Sequence, residues 1–343
     1  MKKLVLFFCW LQIVLFYGLF LPSCNQSQEQ PQKEGVPFAL QIPIGFPDPI
    51  IAEDNPLTEA SVELGKKLFF DPILSIDSSI SCRSCHHPNR AFSDTVAFSR
   101  GVEGRLGKRN APSLMNLVYQ NAFLRDGGAR TLPLQVFVPL TDHAEMALTM
   151  NEAVKRLKKQ PEYVELTQKA YNRDINSFTV TRALAAFQQT LISGNSAYDR
   201  YHFEGKKEAL SPAQIRGLAL FQSPKTNCTK CHEGFNFTSN AYENNGLYAD
   251  YKDEGRFLIT RDSSDIGKFK VSSLRNVALT APYMHDGSVN TLEEVIQHYE
   301  NGGKSNVNKS PHIRPFELTK QERGDLKAFL ESLTDEKVLR GDF

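Results

Sequence analysis

Ser81-Cys82-Arg83-Ser84-Cys85-His86-His87-Pro88 sets two cysteines around a two-residue gap and follows the second with a histidine; Cys228-Thr229-Lys230-Cys231-His232 repeats the arrangement far downstream. A Cys-x-x-Cys-His unit written twice points to an internal duplication. The likeness extends upstream, where Gly65-Lys66-Lys67-Leu68-Phe69-Phe70-Asp71-Pro72 and Gly217-Leu218-Ala219-Leu220-Phe221-Gln222-Ser223-Pro224 share G-x-x-L-F-x-x-P. Each follows a helix-start signal, Thr58 with Glu59 or Ser211-Pro212. Downstream, Leu184-Ala185-Ala186-Phe187 to Leu191 and Leu326-Lys327-Ala328-Phe329 to Leu333 share L-x-A-F-x-x-x-L at helical spacing. Alternating strand runs are few. The expected fold is all-α, two tandem homologous domains spanning 36–204 and 205–343, joined near the polar stretch His202 to Ala209.

Two thiols and an adjacent imidazole suit covalent haem, because the thiols can bond the two vinyl groups while the histidine lies under the iron. A zinc site drawn from both pairs, or two disulfides, are the alternatives. Neither needs a histidine after each pair, so the reading is two haem c groups held by Cys82, Cys85 and His86 and by Cys228, Cys231 and His232. His87 is then a neighbour. The far side of each iron decides the chemistry, since a six-coordinate haem carries electrons and an open one can react with peroxide or oxygen. Pro88 to Asn110 contains no histidine, methionine or cysteine, so the first haem lacks a local distal ligand. For the second, Thr291-Leu292-Glu293-Glu294 reads as a capping box opening a helix on which Leu292, Val295, Ile296 and Tyr299 share a face. By itself that face describes a core tyrosine as well as a ligand.

The N-terminus carries Met1-Lys2-Lys3, then an apolar run from Leu4 to Leu21 ending in Leu21-Pro22-Ser23-Cys24. Residues 1–24 read as an export signal whose end resembles a bacterial lipoprotein box with Cys24 lipidated; a single membrane anchor is the alternative. Cleavage there removes Cys9 and the only tryptophan, Trp10. Residues 25–35 are polar and suit a flexible tether. The expected location is periplasmic, with a membrane tether through Cys24. Forty basic against thirty-nine acidic residues give a formal charge of +1, which argues against nucleic acid as a partner. The 343 residues suffice for two cores.

The segments "LGKKLFFDPILS", "ISCRSCHHP", "RNAPSLMN", "TNCTKCHEG" and "LRNVALTAPYMHDGSVNTLEEVIQHYENGG" together resemble the bacterial dihaem cytochrome c peroxidases and the related MauG enzymes, over residues 36 to 335. The resemblance implies two tandem cytochrome c-like domains, each with one covalently bound haem c, the N-terminal haem reacting with peroxide and the C-terminal one receiving electrons from a small donor such as a cytochrome c or cupredoxin. It places Tyr299, beyond Pro282-Tyr283-Met284-His285, where peroxidases of the family carry a ligating methionine and MauG-type members a tyrosine. An anionic phenolate there would favour ferric iron. The loop histidine that closes the first haem in many relatives has no match in "AFSRGVEGRLGK", leaving His143 as the one nearby reservation. By the same likeness Glu145 is the proton-moving base, Gln135 its hydrogen-bonding neighbour, and one calcium ion lies between the domains on Asn110, Thr280 and Pro282. Without it, Glu145 reads as an exposed acid at a helix start. One departure stands out: relatives usually carry F-W-D-G between the haems, whereas this chain reads Phe123-Leu124-Arg125-Asp126-Gly127, so electrons would pass by Tyr119, Tyr283 or direct tunnelling.

The expected activity is that of an exported cytochrome-c peroxidase-type oxidoreductase reducing hydrogen peroxide to water. A MauG-like oxidant of a protein or organic substrate is the nearest alternative, and a pure dihaem electron carrier a third.

Overall fold

Thr58 accepts a hydrogen bond from the Ser61 backbone N–H while the Ser61 hydroxyl accepts from Thr58 N–H, and this reciprocal cap opens helix α1 (Glu59–Phe70). Ser211 and Gln214 do the same for α7 (Pro212–Phe221), with Pro212 at a position where no N–H is needed. The computed structural model describes residues 35–341, which belong to one compact unit. The export signal, Cys24 and most of the expected tether lie outside the described residues.

Between these openings run α2 (Leu132–Thr141), α3 (Met150–Lys158), α4 (Pro161–Tyr171), α5 (Ser177–Gln189) and α6 (Ala197–His202). After α7 come α8 (Phe257–Thr260), α9 (Leu292–Glu300), α10 (Lys320–Glu331) and α11 (Glu336–Arg340). The one two-stranded sheet among the described residues pairs β1 (Tyr242–Glu243) with β2 (Phe269–Lys270) antiparallel.

The shared sequence patterns pack alike. Helix α1 lies against α5, and α7 against α10. A Cβ on Gly65 would fall 1.9 Å from the Ala183 carbonyl oxygen, and one on Gly217 the same 1.9 Å from that of Asp325. The glycine of G-x-x-L-F therefore lets each helix pair touch backbone to backbone. Beneath each contact sits a phenylalanine trio. Phe69 meets Phe187 at 5.2 Å and Phe92 at 5.8 Å between ring centroids; Phe221 meets Phe329 at 5.1 Å and Phe237 at 5.9 Å. Edge-to-face geometry is the favoured arrangement for such rings.

Two hydrophobic clusters form. One gathers residues from Leu57 to Leu191, and the other from Tyr198 on α6 to Leu333, while Val338 of α11 returns to the first. Asn116 and Asn276, both left-handed at φ 61° and 60°, anchor equivalent corners. Asn116 Oδ1 accepts from Ser193 N–H at 2.8 Å; Asn276 Oδ1 accepts from Asp335 N–H at 2.9 Å.

Candidate active site

Both Cys-x-x-Cys-His units open onto a single connected cavity of ≈ 950 Å³, at the top of the roughly 300–1,000 Å³ range of ordinary small-molecule sites. Cys82, Cys85, His86, Gln135, Pro139 and Glu145 line one end, and Cys228, Cys231, His232, Val295, Ile296 and Tyr299 another. All four cysteines are free, and no group of three or more Cys, His, Asp or Glu side chains converges on a metal position among the described residues. The disulfide and shared-zinc alternatives therefore have no support in the arrangement.

Each short turn that carries the cysteines ends by fixing its histidine. His86 Nδ1 lies 2.7 Å from the Phe92 carbonyl oxygen, and His232 Nδ1 lies 3.1 Å from that of Phe237. A carbonyl can only accept, so Nδ1 carries the proton and Nε2 keeps its lone pair for iron. Burial lowers both histidine pKa values, which preserves the neutral ring a metal needs. Burial also pushes Cys82 up to about 12 and Cys85 and Cys231 to about 11, so these thiols are protonated at neutral pH, the state that adds across a vinyl group. Paired thiols, an oriented imidazole and a large cavity over each unit fit two haem c groups.

The far sides differ. Thr131 caps α2 as Thr291 caps α9, with each hydroxyl accepting a backbone N–H inside its helix. Counting on equally from these two threonines reaches Pro139 in α2 and Tyr299 in α9, both in the cavity wall. Proline has no ligating atom; tyrosine has one. Pro139 is the residue that the sequence reading missed, although the register of the duplicated helices held the signal. The Tyr299 phenol is pushed up to about 12, chiefly by burial, with an opposing hydrogen bond from Asn245. His298 points elsewhere, its Nε2 lying 3.0 Å from the Asn245 carbonyl oxygen.

Glu145 belongs to no helix start. It sits in the turn between α2 and α3, where its N–H donates to the Asp142 carbonyl at 3.1 Å and its own carbonyl accepts from Val102 N–H at 2.9 Å. Burial, with a smaller push from the Asp142 carboxylate, raises its pKa to about 7. The reading as an exposed acid is corrected: the loop folds the side chain back into the cavity. In the same cavity wall Gln135 Oε1 is buried with no hydrogen-bond partner in the protein, a polar atom left for something inside the cavity. His143 is exposed and outside the cavity wall, with its carbonyl accepting from Arg105 Nη1 at 2.9 Å. His87 likewise lies outside it, 3.6 Å from Asp94.

The calcium ligands do not fit as expected. Asn110 is almost fully buried, but its Oδ1 accepts from Arg125 Nη2 at 2.7 Å and its carbonyl from Arg125 Nε at 3.1 Å. Thr280 and Pro282 line the same cavity. The Arg125 guanidinium thus already bonds one of the three residues expected to hold the ion. Of the candidate electron relays, Tyr283 is in the cavity wall and donates to the Val277 carbonyl at 3.1 Å. Tyr119 is not; it packs on Phe235 and Phe46 at 5.0 and 5.7 Å.

The family model for di-haem cytochrome c peroxidase matches residues 59–208. The methylamine utilization protein MauG of Methylorubrum extorquens is 39% identical over 285 residues, covering 82% of this chain and 80% of that protein. The cytochrome c551 peroxidase of Nitrosomonas europaea is 35% identical over 280 residues, covering 80% of each. The crystal structure of a MauG-like protein associated with microbial copper homeostasis superposes with a TM-score of 0.83 at 35% identity, covering 88% of this chain and 97% of that one. The chain belongs to the dihaem cytochrome c peroxidase and MauG family.

Proposed function

We propose that this chain is an exported dihaem peroxidase, an oxidoreductase that reduces hydrogen peroxide to water with electrons delivered by a small redox protein at the C-terminal half. Each peroxide takes up two electrons and two protons and leaves as two waters. The haems supply the electron storage and the Lewis-acidic iron that this reaction needs. The protein's own part is to hold and to move protons. Cys82, Cys85 and His86 would tether and orient the first group, and Cys228, Cys231, His232 and Tyr299 would hold the second. Glu145, ionised, takes the proton from one peroxide oxygen and returns it to the departing oxygen, while Gln135 hydrogen-bonds the substrate. A pKa near 7 suits a group that must both accept and release a proton at neutral pH.

The observation that carries this reading is that a half-buried carboxyl, raised to about 7, and a proline with no ligating atom line the same cavity as the first Cys-x-x-Cys-His unit. The tyrosine in the second pocket also favours a MauG-like oxidation of a larger substrate. Arg125 argues against it, since a guanidinium cannot relay an oxidising hole between the haems. Stopped-flow kinetics of the as-isolated ferric protein decide: rapid turnover with a reduced cytochrome or cupredoxin supports the peroxidase, slow oxidation of a bound substrate supports the alternative, and inertness toward peroxide overturns both. Export with lipidation at Cys24 is tested by Cys24→Ala, which should leave the protein out of the membrane fraction; unchanged cleavage and membrane binding overturns it.

A further inference from the structure

Among the described residues Arg125 makes no ion pair. Its neighbour Arg109 has two carboxylates, donating to Asp126 at 2.6 Å and to Asp253 at 2.5 and 2.7 Å. Arg125 instead spends two of its donors on one asparagine, the side-chain oxygen and the carbonyl of Asn110. That asparagine is held from every side. Its N–H donates to the His285 carbonyl at 2.9 Å and its Nδ2 to the Val96 carbonyl at 3.1 Å, which turns Oδ1 toward the guanidinium. The Arg125 carbonyl in turn accepts from Lys270 N–H at 2.7 Å. Asn110 and Arg125 come from the first half, His285 and Lys270 from the second, so the cluster lies on the seam between the two.

A calcium ion sits about 2.3–2.6 Å from each oxygen ligand. With a guanidinium nitrogen 2.7 Å from Asn110 Oδ1, a calcium on the same oxygen would lie within roughly 5 Å of a second cation. Water screens such repulsion poorly in a buried site. The seam already disfavours a second cation: burial, with a smaller push from Arg125, lowers the Lys270 amine to about 7, while it donates to the Gln120 side chain and to the Ala122 carbonyl at 2.8 Å. Pulling Arg125 aside would strip a largely buried cation of its two acceptors.

We propose that the Arg125 guanidinium is the resident cation of this seam, taking the place of calcium on Asn110, so that the two halves join without a metal ion. The inference stands apart from the peroxidase reading and holds whatever the substrate.

The test uses the holoprotein, with calcium content by mass spectrometry after gel filtration in calcium-free buffer. Thermal midpoints at the Soret band and electron paramagnetic resonance spectra are compared in EGTA and in calcium chloride. The wild type should carry no stoichiometric calcium and give the same midpoint and spectra in both. Arg125→Gln vacates Asn110 Oδ1, and should bind calcium and gain several degrees from it. Asn110→Asp gives Arg125 a carboxylate; its midpoint should rise in EGTA and ignore calcium. An EGTA-removable calcium in the wild type, a wild-type midpoint that follows calcium, an Arg125→Gln protein that takes up none, or an Asn110→Asp gain that requires calcium would each overturn the proposal. Should Arg125→Gln not fold, the wild-type and Asn110→Asp measurements decide alone.

Discussion

With its pKa raised to about 7, Glu145 changes charge in the middle of the physiological range. As a base it works only when ionised, so the rate of peroxide cleavage should climb about tenfold per pH unit below 7 and level off above it. Glu145→Gln keeps the size and loses the base; it should slow cleavage by about 10²-fold or more and flatten that profile, as stopped-flow traces across pH 5–9 would reveal. Stability moves the opposite way. Between the ordinary value of 4.5 and about 7 the folded chain keeps a proton on Glu145 that the unfolded chain has shed, so stability falls as pH rises through that window. Above pH 7, Glu145→Gln should therefore be the more stable protein by up to about 3 kcal/mol, with no difference below about 4.5. Denaturant titrations that show equal stability at pH 8 would remove the buried-carboxyl account. Glu145 was legible in the sequence only through family likeness. Its local residues suggest an exposed acid, whereas the bond from Val102 N–H to its carbonyl ties its turn to a distant loop and the side chain lines the cavity.

Helix α9 turns one sequence pattern into a cavity-lining tyrosine. Thr291 and Glu294 fix its first turn, and Leu292 and Ile296 bury its inner face, which leaves Tyr299 one turn further along the same face in the cavity wall. Tyr299→Phe removes the oxygen and keeps the ring. With the first haem open and the second closed by Tyr299, as proposed, the ferric protein should give one high-spin and one low-spin electron paramagnetic resonance signal, and this variant should abolish or shift only the low-spin one; an unchanged low-spin signal would show that Tyr299 is no ligand. Thr291→Ala costs the cap about 1 kcal/mol and should lower the thermal midpoint without altering either signal, which separates loss of the helix from loss of the ligand. At this scale the sequence is most readable. The helix starts at Thr58, Ser211 and Thr291 and the closing helices α5 and α10 are stated by local chemistry alone. The Arg125–Asn110 contact is not, because it depends on which loops the two halves bring together.

Duplication explains why the chain closes as one body. Each Asn corner, glycine contact and phenylalanine trio has a twin, yet the twins are joined by bonds that cross from half to half. Asp335, 2% exposed, accepts from Gly194 N–H at 3.1 Å and Asn195 N–H at 3.0 Å, at the exit of the first closing helix. Its own N–H donates to Asn276 Oδ1, the corner of the second half. The Asn276 amide donates in turn to Ser193 Oγ at 2.9 Å, and Asn116 reaches across to Asn236 Oδ1 at 3.1 Å. Asp335, Asn276, Ser193, Asn116 and Asn236 thus tie both corners to the segment between them. Nothing in the sequence around "SLTDEK" announces this; an aspartate capping α11 looks like any other. Removing one carboxylate leaves buried N–H donors unmatched, at about 1–3 kcal/mol for each group left without a partner. Asp335→Ala should therefore lower the thermal midpoint by several degrees. Because the lost bonds join the halves, the melting of the two haem signals should also separate, the high-spin and low-spin centres vanishing at different temperatures where the wild type loses both together. A single transition at the wild-type midpoint in Asp335→Ala would mean that the remaining contacts between the halves, Asn116 to Asn236 and the Arg125 cluster among them, hold the two together without it.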